Sequence, residues 1–290
     1  MKHLWRSLLF VPGDSDRKIA KVAESDADII IFDLEDAVVP QARPDARRRV
    51  HDAVQARTTS HALCVRINPM DSDDADDDLN AVMPALPDYI MLPKVRSVAD
   101  LDALAARIDE LEAAHDGASG HTRIIALMTE TPQMTLNLPT VTALHKRVAA
   151  LTWGGEDLAA ELGANDNKDA DGHWTFTFQL ARSYCLLAAR ACGIRALDTL
   201  YTNFRDAEGI RAHAALARRD GFDGVLAIHP AQIAPINDAF TPSTDDIEQA
   251  QAIVDAFANA PGLGTVQLDG RMLDKPHLRL AEDILQRAKR

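Results

Sequence analysis

The chain alternates between two kinds of segment, and that rhythm limits what it can fold into. Eight short apolar runs recur: SLLFVP (7–12), DIIIFD (28–33), LCVRI (63–67), YIMLP (89–93), IIALM (124–128), ALTWG (150–154), ALDTLY (196–201) and GVLAI (224–228). Nearly continuous apolar runs of this length, with few polar breaks, fit strands buried on both faces of a parallel sheet. Between most of them lie segments of helical period, at 14–25, 42–57, 97–115, 133–147, 177–192 and 205–219. The clearest is SVADLDALAARIDELEAA, with leucines and isoleucine at steps of three and four. RDAEGIRAHAALARRDGF ends on glycine, a normal helix stop. Strand and helix in alternation, eight times over, predict an α/β fold of the (β/α)₈ TIM-barrel type. A doubly wound open sheet is the alternative, but it usually carries GxGxxG after its first strand, and VPGDSDRK does not match. The link between the second and third strands carries only a short helix and TTSHA, which a barrel tolerates.

The pattern changes near residue 230. PAQIAPINDAF and DDIEQAQAIVDAFANA read as helices, PGLGTVQLDGRMLDKP as an ordered loop, and 277–289 as a last amphipathic helix. The expected organisation is a catalytic barrel over 1–232 and a C-terminal helical extension over 233–290. A barrel does not need such a tail, so the extension is expected to pack on a neighbouring subunit or close over the mouth.

Composition narrows the function. The net charge of −13 argues against nucleic acid as a partner. An anion could still bind through a local basic patch or a metal. Much of the negative excess lies in DSDDADDDL (71–79), which reads as a solvated loop; it lacks the glycine and regular ligand spacing of a calcium loop. Cys64, Cys185 and Cys192 show no metal or redox spacing and are expected to be buried free thiols in a reducing compartment. LLFV near the start is too short for a signal peptide or a membrane span, so a cytoplasmic protein is expected, without a membrane partner.

In a barrel of this kind the functional residues sit at the C-terminal ends of the strands. Strand 1 is followed by Asp14, Arg17 and Lys18, and strand 2 ends in Asp33, Glu35 and Asp36. Strand 3 ends in Arg66 and Asn68, strand 4 in Lys94 and Arg96, and strand 5 in Glu130. Strand 6 ends in Gly154, Gly155, Glu156 and Asp157, strand 7 in Tyr201 and Asn203, and strand 8 in His229. Ionised carboxylates buried without partners are costly. The acids of DLEDAV therefore need cations, and Arg66, Lys94 and a divalent ion are the candidates. Glu130 and Asp157 follow adjacent strands, and two carboxylates with other positions open to water and substrate suit Mg²⁺. Either acid could instead be a helix cap or a salt-bridge partner. The glycines let a ligand approach the backbone, and a helix starting near Leu158 would aim its N–H groups at an anion. Arg66 can hold a carboxylate or a developing enolate by two hydrogen bonds, or pair with Glu35 or Asp36, or do both. Arg17 and Lys18 form the best basic patch for a phosphate-bearing ligand, if they are not simply solvated. For His229 a structural role and a ligand contact weigh equally.

RSLLFVPGD, IIFDLEDAV, VRIN, LPKV, TETP, GGEDLAAELG, AIHPAQI and DGRMLDKP occur in that order from residue 6 to about residue 285. Together they resemble the citrate lyase beta-subunit-like branch of the HpcH/HpaI aldolase superfamily, which includes malyl-CoA and citramalyl-CoA lyases. The resemblance implies a Mg²⁺-dependent carbon–carbon lyase. It would cleave or form a β-hydroxyacyl-CoA of malyl, citramalyl or citryl type, giving an acyl-CoA and a small 2-keto acid through an enolate. It implies Glu130 and Asp157 as metal ligands and Arg66 as the contact to substrate and enolate oxygen. Asp274 of RMLDKP would be the acid/base, reaching the mouth of a neighbouring subunit in a trimer or hexamer. Glu35 and Asp36 would fix Arg66 and metal-bound water. Arg17, Lys18, Lys94, Gly154, Gly155 and Glu156 complete the implied substrate site, the first two near the CoA phosphates. The loop 164–176 is outside the family pattern and is free to tune specificity. The alternatives are the beta subunit of a multi-subunit citrate lyase working on an acyl-carrier thioester, and a catalytically weak keto-acid-binding barrel.

Overall fold

The computed structural model describes residues 4–115 and 119–288. The chain forms two compact units, Met1–Ile236 and Asn237–Arg290.

The first unit is the expected barrel. Eight parallel strands close in sequence order: β1 Ser7–Pro12, β2 Ile29–Asp33, β3 Ala62–Arg66, β4 Tyr89–Leu92, β5 Arg123–Leu127, β6 Val148–Thr152, β7 Arg195–Asp198 and β8 Gly224–Ala227, with β8 pairing back to β1. Leu8, Ile29, Ile31, Met91, Ile125 and Leu226 belong to its aliphatic core. Each such side chain contributes roughly 1.5–3 kcal/mol when fully buried. The register sets Asp33, the last residue of β2, directly beside Arg66, the last of β3. Side-by-side parallel strands thus deliver an acid and a base to the same end of the barrel.

The helices are α1 Asp16–Ala20, α2 Arg43–Ala56, α3 Ala75–Val82, α4 Val98–Ala114, α5 Pro132–Asn137, α6 Gly155–Leu162, α7 Phe176–Ala191, α8 Ala207–Asp220 and α9 Ile233–Phe240. Four of them differ from the sequence expectation. The helix expected over 14–25 divides into α1 and a 3₁₀ turn, Lys21–Glu24. The helix expected over 133–147 is only α5 and a 3₁₀ turn, Leu138–Thr140. Pro139 lacks an N–H and clashes with the preceding turn, so the α-helix cannot run through it. The start of α6 lies at Gly155 rather than near Leu158, which brings Glu156 and Asp157 into its first turn.

The fourth difference is the acidic run 71–79, which is not a solvated loop. Its second half enters α3, where Asp78 is fully buried. Asp78 accepts hydrogen bonds from Arg47 Nε at 2.7 Å, Asn68 N at 2.8 Å and Asn68 Nδ2 at 2.7 Å. Arg47 comes from α2 and also binds Asp74. An acidic first turn suits a helix N-terminus, and a cation from 31 residues upstream makes burial of one acid affordable.

The second unit holds α10 Thr244–Ala258, α11 Lys275–Ala288 and an antiparallel hairpin of β9 Thr265–Leu268 with β10 Arg271–Asp274. The hairpin replaces the expected loop. Its turn, Asp269–Gly270, has φ of +49° and +74°, the left-handed pair that a two-residue hairpin needs and that Asp-Gly supplies. All three cysteines are free, and Cys64 and Cys185 are buried. No described helix is long and apolar enough to cross a membrane.

Candidate active site

The C-terminal ends of the barrel strands surround a cavity of about 830 Å³, with Phe10, Arg66, Glu130, Trp153, Asp157 and His229 in its wall. At one side Arg66 is clamped. Its Nε and Nη2 each donate at 2.7 Å to the two oxygens of Asp33. Its Nη1 lies 3.0 Å from Glu35 Oε2 and 3.4 Å from Asp36 Oδ2. Its guanidinium sits 4.9 Å from the centre of the Phe10 ring. Burial alone would favour the neutral form, but Asp33, Glu35 and Asp36 hold Arg66 well above its ordinary pKa. Arg66 therefore stays charged in an almost closed setting.

Glu35 is buried, and burial pushes its carboxyl up to about 7 despite the opposing pull of Arg66 and Lys94. Asp36 is half exposed. Burial raises it too, but Arg66 and Lys94 outweigh that and the net shift is downward. Asp33 also accepts from the backbone N–H groups of Glu35 and Ala37, at 3.0 and 3.1 Å. The sequence reading saw Asp33 as an acid needing a cation; the structure makes it the principal clamp on Arg66. The strand register is the signal that could have shown this.

Lys94 follows β4 with φ of +51°. Its Nζ lies 2.6 Å from Glu35 Oε1, 3.2 Å from Asp36 Oδ1 and 3.5 Å from Asp157 Oδ1. It does not line the main cavity. Its backbone N–H donates to Glu130 Oε2 at 2.5 Å. That is the one hydrogen bond Glu130 accepts among the described residues. Glu130 is 2% exposed. Burial first, and then the charge of Asp157, push it up to about 8.

Gly154 is required by this packing. A Cβ there would stand 2.8 Å from Glu130 Cγ. Gly155 lies against Trp153 and Trp174, whose rings meet edge to face at 5.0 Å between centres. Asp157 and Glu156 occupy the first turn of α6 and line the cavity. Glu156 accepts from Asn167 Nδ2 at 2.9 Å, so the loop after α6 is seated on the helix start. Lys168 of that loop places its ammonium 4.5 Å from the Trp174 ring centre.

Arg17 and Lys18 are exposed and line the cavity, and Lys21 joins them. The sequence reading missed Lys21, although it follows Arg17 by four residues. His229 lines the cavity and is also structural: its Nδ1 accepts from Ala231 N at 3.1 Å and its ring stacks on Phe204. Three other strand-end residues have structural partners. Asn68 binds Asp78 and the Leu34 carbonyl, Tyr201 donates to Asp206 at 2.8 Å, and Arg96 pairs with Asp71. Asp274 ends β10 in the second unit. Its Oδ1 is 2.5 Å from Nδ1 of His277, which holds its carboxyl below the usual range.

Two side chains could hold a hard cation here. Glu130 keeps one oxygen without a hydrogen bond, beside a second acid that penalises its ionised form, and a cation between them would relieve both penalties. An all-carboxylate donor set without Cys or His fits Mg²⁺ rather than zinc. A separate exposed group, Asp169, Asp171 and His173, lies in the loop after α6. There Asp169 accepts the backbone N–H groups of the other two, as in an ordinary turn.

Residues 6–230 match the family model described as HpcH/HpaI aldolase/citrate lyase. The chain is 37% identical over 289 residues to a (3S)-malyl-CoA thioesterase of Cereibacter sphaeroides, covering 99% of this chain and 95% of the relative. It is 35% identical to citrate lyase subunit beta of Haemophilus influenzae, covering 99% and 97%. The solved structure of CitE from Mycobacterium tuberculosis, in complex with magnesium, acetoacetate and coenzyme A, superposes with a TM-score of 0.81. The two are 31% identical, and 99% of each chain is covered. A closed eight-stranded barrel, an acid-rich mouth and likeness along nearly the whole length agree: the chain belongs to the HpcH/HpaI aldolase/citrate lyase family.

Proposed function

We propose that this protein is a Mg²⁺-dependent carbon–carbon lyase. It cleaves, or in reverse forms, a β-hydroxyacyl-CoA of malyl, citramalyl or citryl type, giving an acyl-CoA and a small 2-keto acid. The observation that carries the reading is Glu130, a buried and under-coordinated carboxylate beside Asp157, in the wall of the same cavity as a permanently charged Arg66. The similar CitE structure holds magnesium, acetoacetate and coenzyme A, and another CitE structure holds magnesium and the 2-keto acid pyruvate, which supports a metal, a small oxo acid and a CoA thioester here.

Glu130 and Asp157 hold the ion. When bound, Mg²⁺ supplies Lewis-acid stabilisation of the alkoxide and a template for the substrate's oxygens. Cleavage breaks the bond between the hydroxyl-bearing carbon and the carbon next to the thioester. The ionised Asp274 carboxylate takes the hydroxyl proton, that carbon becomes the ketone, and the bonding pair passes into a thioester enolate. Arg66 presents fixed positive charge to the enolate oxygen, an effect worth about 3–4 kcal/mol for one preorganised donor. Asp33, Glu35 and Asp36 keep its geometry. Asp274 returns a proton to the enolate carbon, or removes it in the condensing direction. It would do so in a neighbouring copy's mouth, within a trimer or hexamer; exposed Met272 and Leu280 in the second unit support such packing. Gly154, Gly155 and Glu156 border the substrate, and Lys94 supports the acids around it. Arg17 and Lys18, with Lys21, face the CoA phosphates. A cytoplasmic location fits the reading.

The test is a screen of CoA thioesters with 2-keto acid and free thiol measured separately. The expected result is keto-acid release that EDTA abolishes and that Glu130→Gln or Asp157→Asn lowers by on the order of 10²–10³-fold or more. Full activity in EDTA, or in either variant, would refute the metal assignment. The thioesterase name of a 37%-identical relative favours one second reading, hydrolysis of the C–S bond by water. That outcome would release thiol and a hydroxy acid without any keto acid.

A further inference from the structure

Lys94 serves two groups of acids at once, by two different parts of itself. Its backbone N–H holds Glu130 Oε2, and the left-handed φ of +51° is a conformation that L side chains seldom adopt. Glycine would offer the same N–H without that strain, so the side chain is what distinguishes the position. Its ammonium reaches Glu35 and Asp36 after β2, and Asp157 in the first turn of α6. Arg66 shares the first two partners and not the third. Among the described residues Lys94 is the one cation paired with Asp157. The three pairs are graded: the one to buried Glu35 is shortest, and the one to the partly exposed Asp157 is longest.

On the reading that Glu130 and Asp157 hold Mg²⁺, we infer that Lys94 is a positioning residue acting as the site's resident cation. It tethers Asp157 when the metal is absent, gives up that acid when the metal arrives, and by its charge holds Mg²⁺ affinity down. The short pair to Glu35 keeps the ammonium in place during the exchange.

Isothermal titration of MgCl₂ into EDTA-stripped protein, without substrate, tests this. Lys94→Met and Lys94→Gly remove the charge; the glycine variant suits the backbone conformation and guards against a folding failure. Both are expected to bind Mg²⁺ on the order of tenfold more tightly, because a positive charge within a few ångströms has gone. Lys94→Arg is expected to restore the wild-type affinity. Loss of a merely structural side chain would weaken binding, so unchanged or weaker affinity in both neutral variants overturns the inference. Glu130→Gln separates the two claims. If wild-type protein binds no Mg²⁺, or Glu130→Gln binds it equally well, the metal reading fails and this inference falls with it.

Discussion

Two buried glutamates at opposite ends of the barrel make the most instructive pair in the molecule. Glu112, at the end of α4, is 1% exposed; Glu130, after β5, is 2% exposed. Glu112 is saturated. It accepts from Gly120 N and Thr122 N at 2.7 and 2.8 Å, and from both terminal nitrogens of Arg147 at 3.2 and 2.7 Å. Burial would raise it, but these partners outweigh burial and bring it below the ordinary value. Glu130 accepts one hydrogen bond and is pushed up to about 8. The two have the same side chain and nearly the same exposure, yet their pKa values move in opposite directions. Glu112 and Arg147 adjoin the N-terminal ends of the strands, where a barrel secures its fold; Glu130 lies at the C-terminal ends, the face on which such barrels carry their active sites. A buried carboxylate with every lone pair used is structure, and one left short of partners is poised for a ligand.

Breaking the saturated end should have the largest effect. Arg147→Ala leaves Glu112 buried without its cation, and is expected to cost about 3–5 kcal/mol in urea unfolding. A loss below about 1 kcal/mol would mean that the network is not structural.

The next effect is the pH dependence of stability in EDTA. The folded pKa values of Glu35 and Glu130, about 7 and 8, exceed the ordinary 4.5. Between those limits the folded state binds more protons than the unfolded one. Their contribution is complete below pH 4.5 and is lost as pH rises through 7 and 8. Glu112 works the other way: its contribution is present above its ordinary value and lost as pH falls through its depressed one. Melting temperature in EDTA should therefore peak near pH 5 and decline toward pH 8, with excess Mg²⁺ offsetting the decline. A flat profile between pH 5 and 8 would contradict the contrast.

The smallest effect belongs to Glu130→Gln. At pH 5 the native carboxyl is protonated, so a near-isosteric amide should change stability by less than about 1.5 kcal/mol while flattening the slope above pH 5. A destabilisation as large as that of Arg147→Ala would place Glu130 among the structural acids.

Much of the fold is legible because it rests on local patterns. Apolar runs such as IIIF read as strands buried on both faces, and strand-end residues of a closed barrel converge by construction. Pro139 and the Asp269–Gly270 pair are local signals too. The first marks the end of α5 and the second the β9–β10 turn, and a helix and a loop were expected in their places. The helical fate of DSDDADDDL was not legible, because it depends on Arg47 in another helix. The clamp of Asp33 on Arg66 depends on strand register, and the double role of Lys94 on a backbone angle. The seating of Trp174 against Gly155 depends on how the loop after α6 folds back.

The sequence by itself determined the order of strands and helices, and so which end of the barrel receives Arg66, Glu130 and Asp157. Periodicity is written residue by residue, and so it can be read that way. Only the tertiary structure decided how those groups behave: that Arg66 is paired with three acids, that Glu130 accepts a single hydrogen bond, and that Lys94 links Glu35 to Asp157. Charge state follows from desolvation and from neighbours tens of residues away in the chain, and those distances exist only once the barrel has closed.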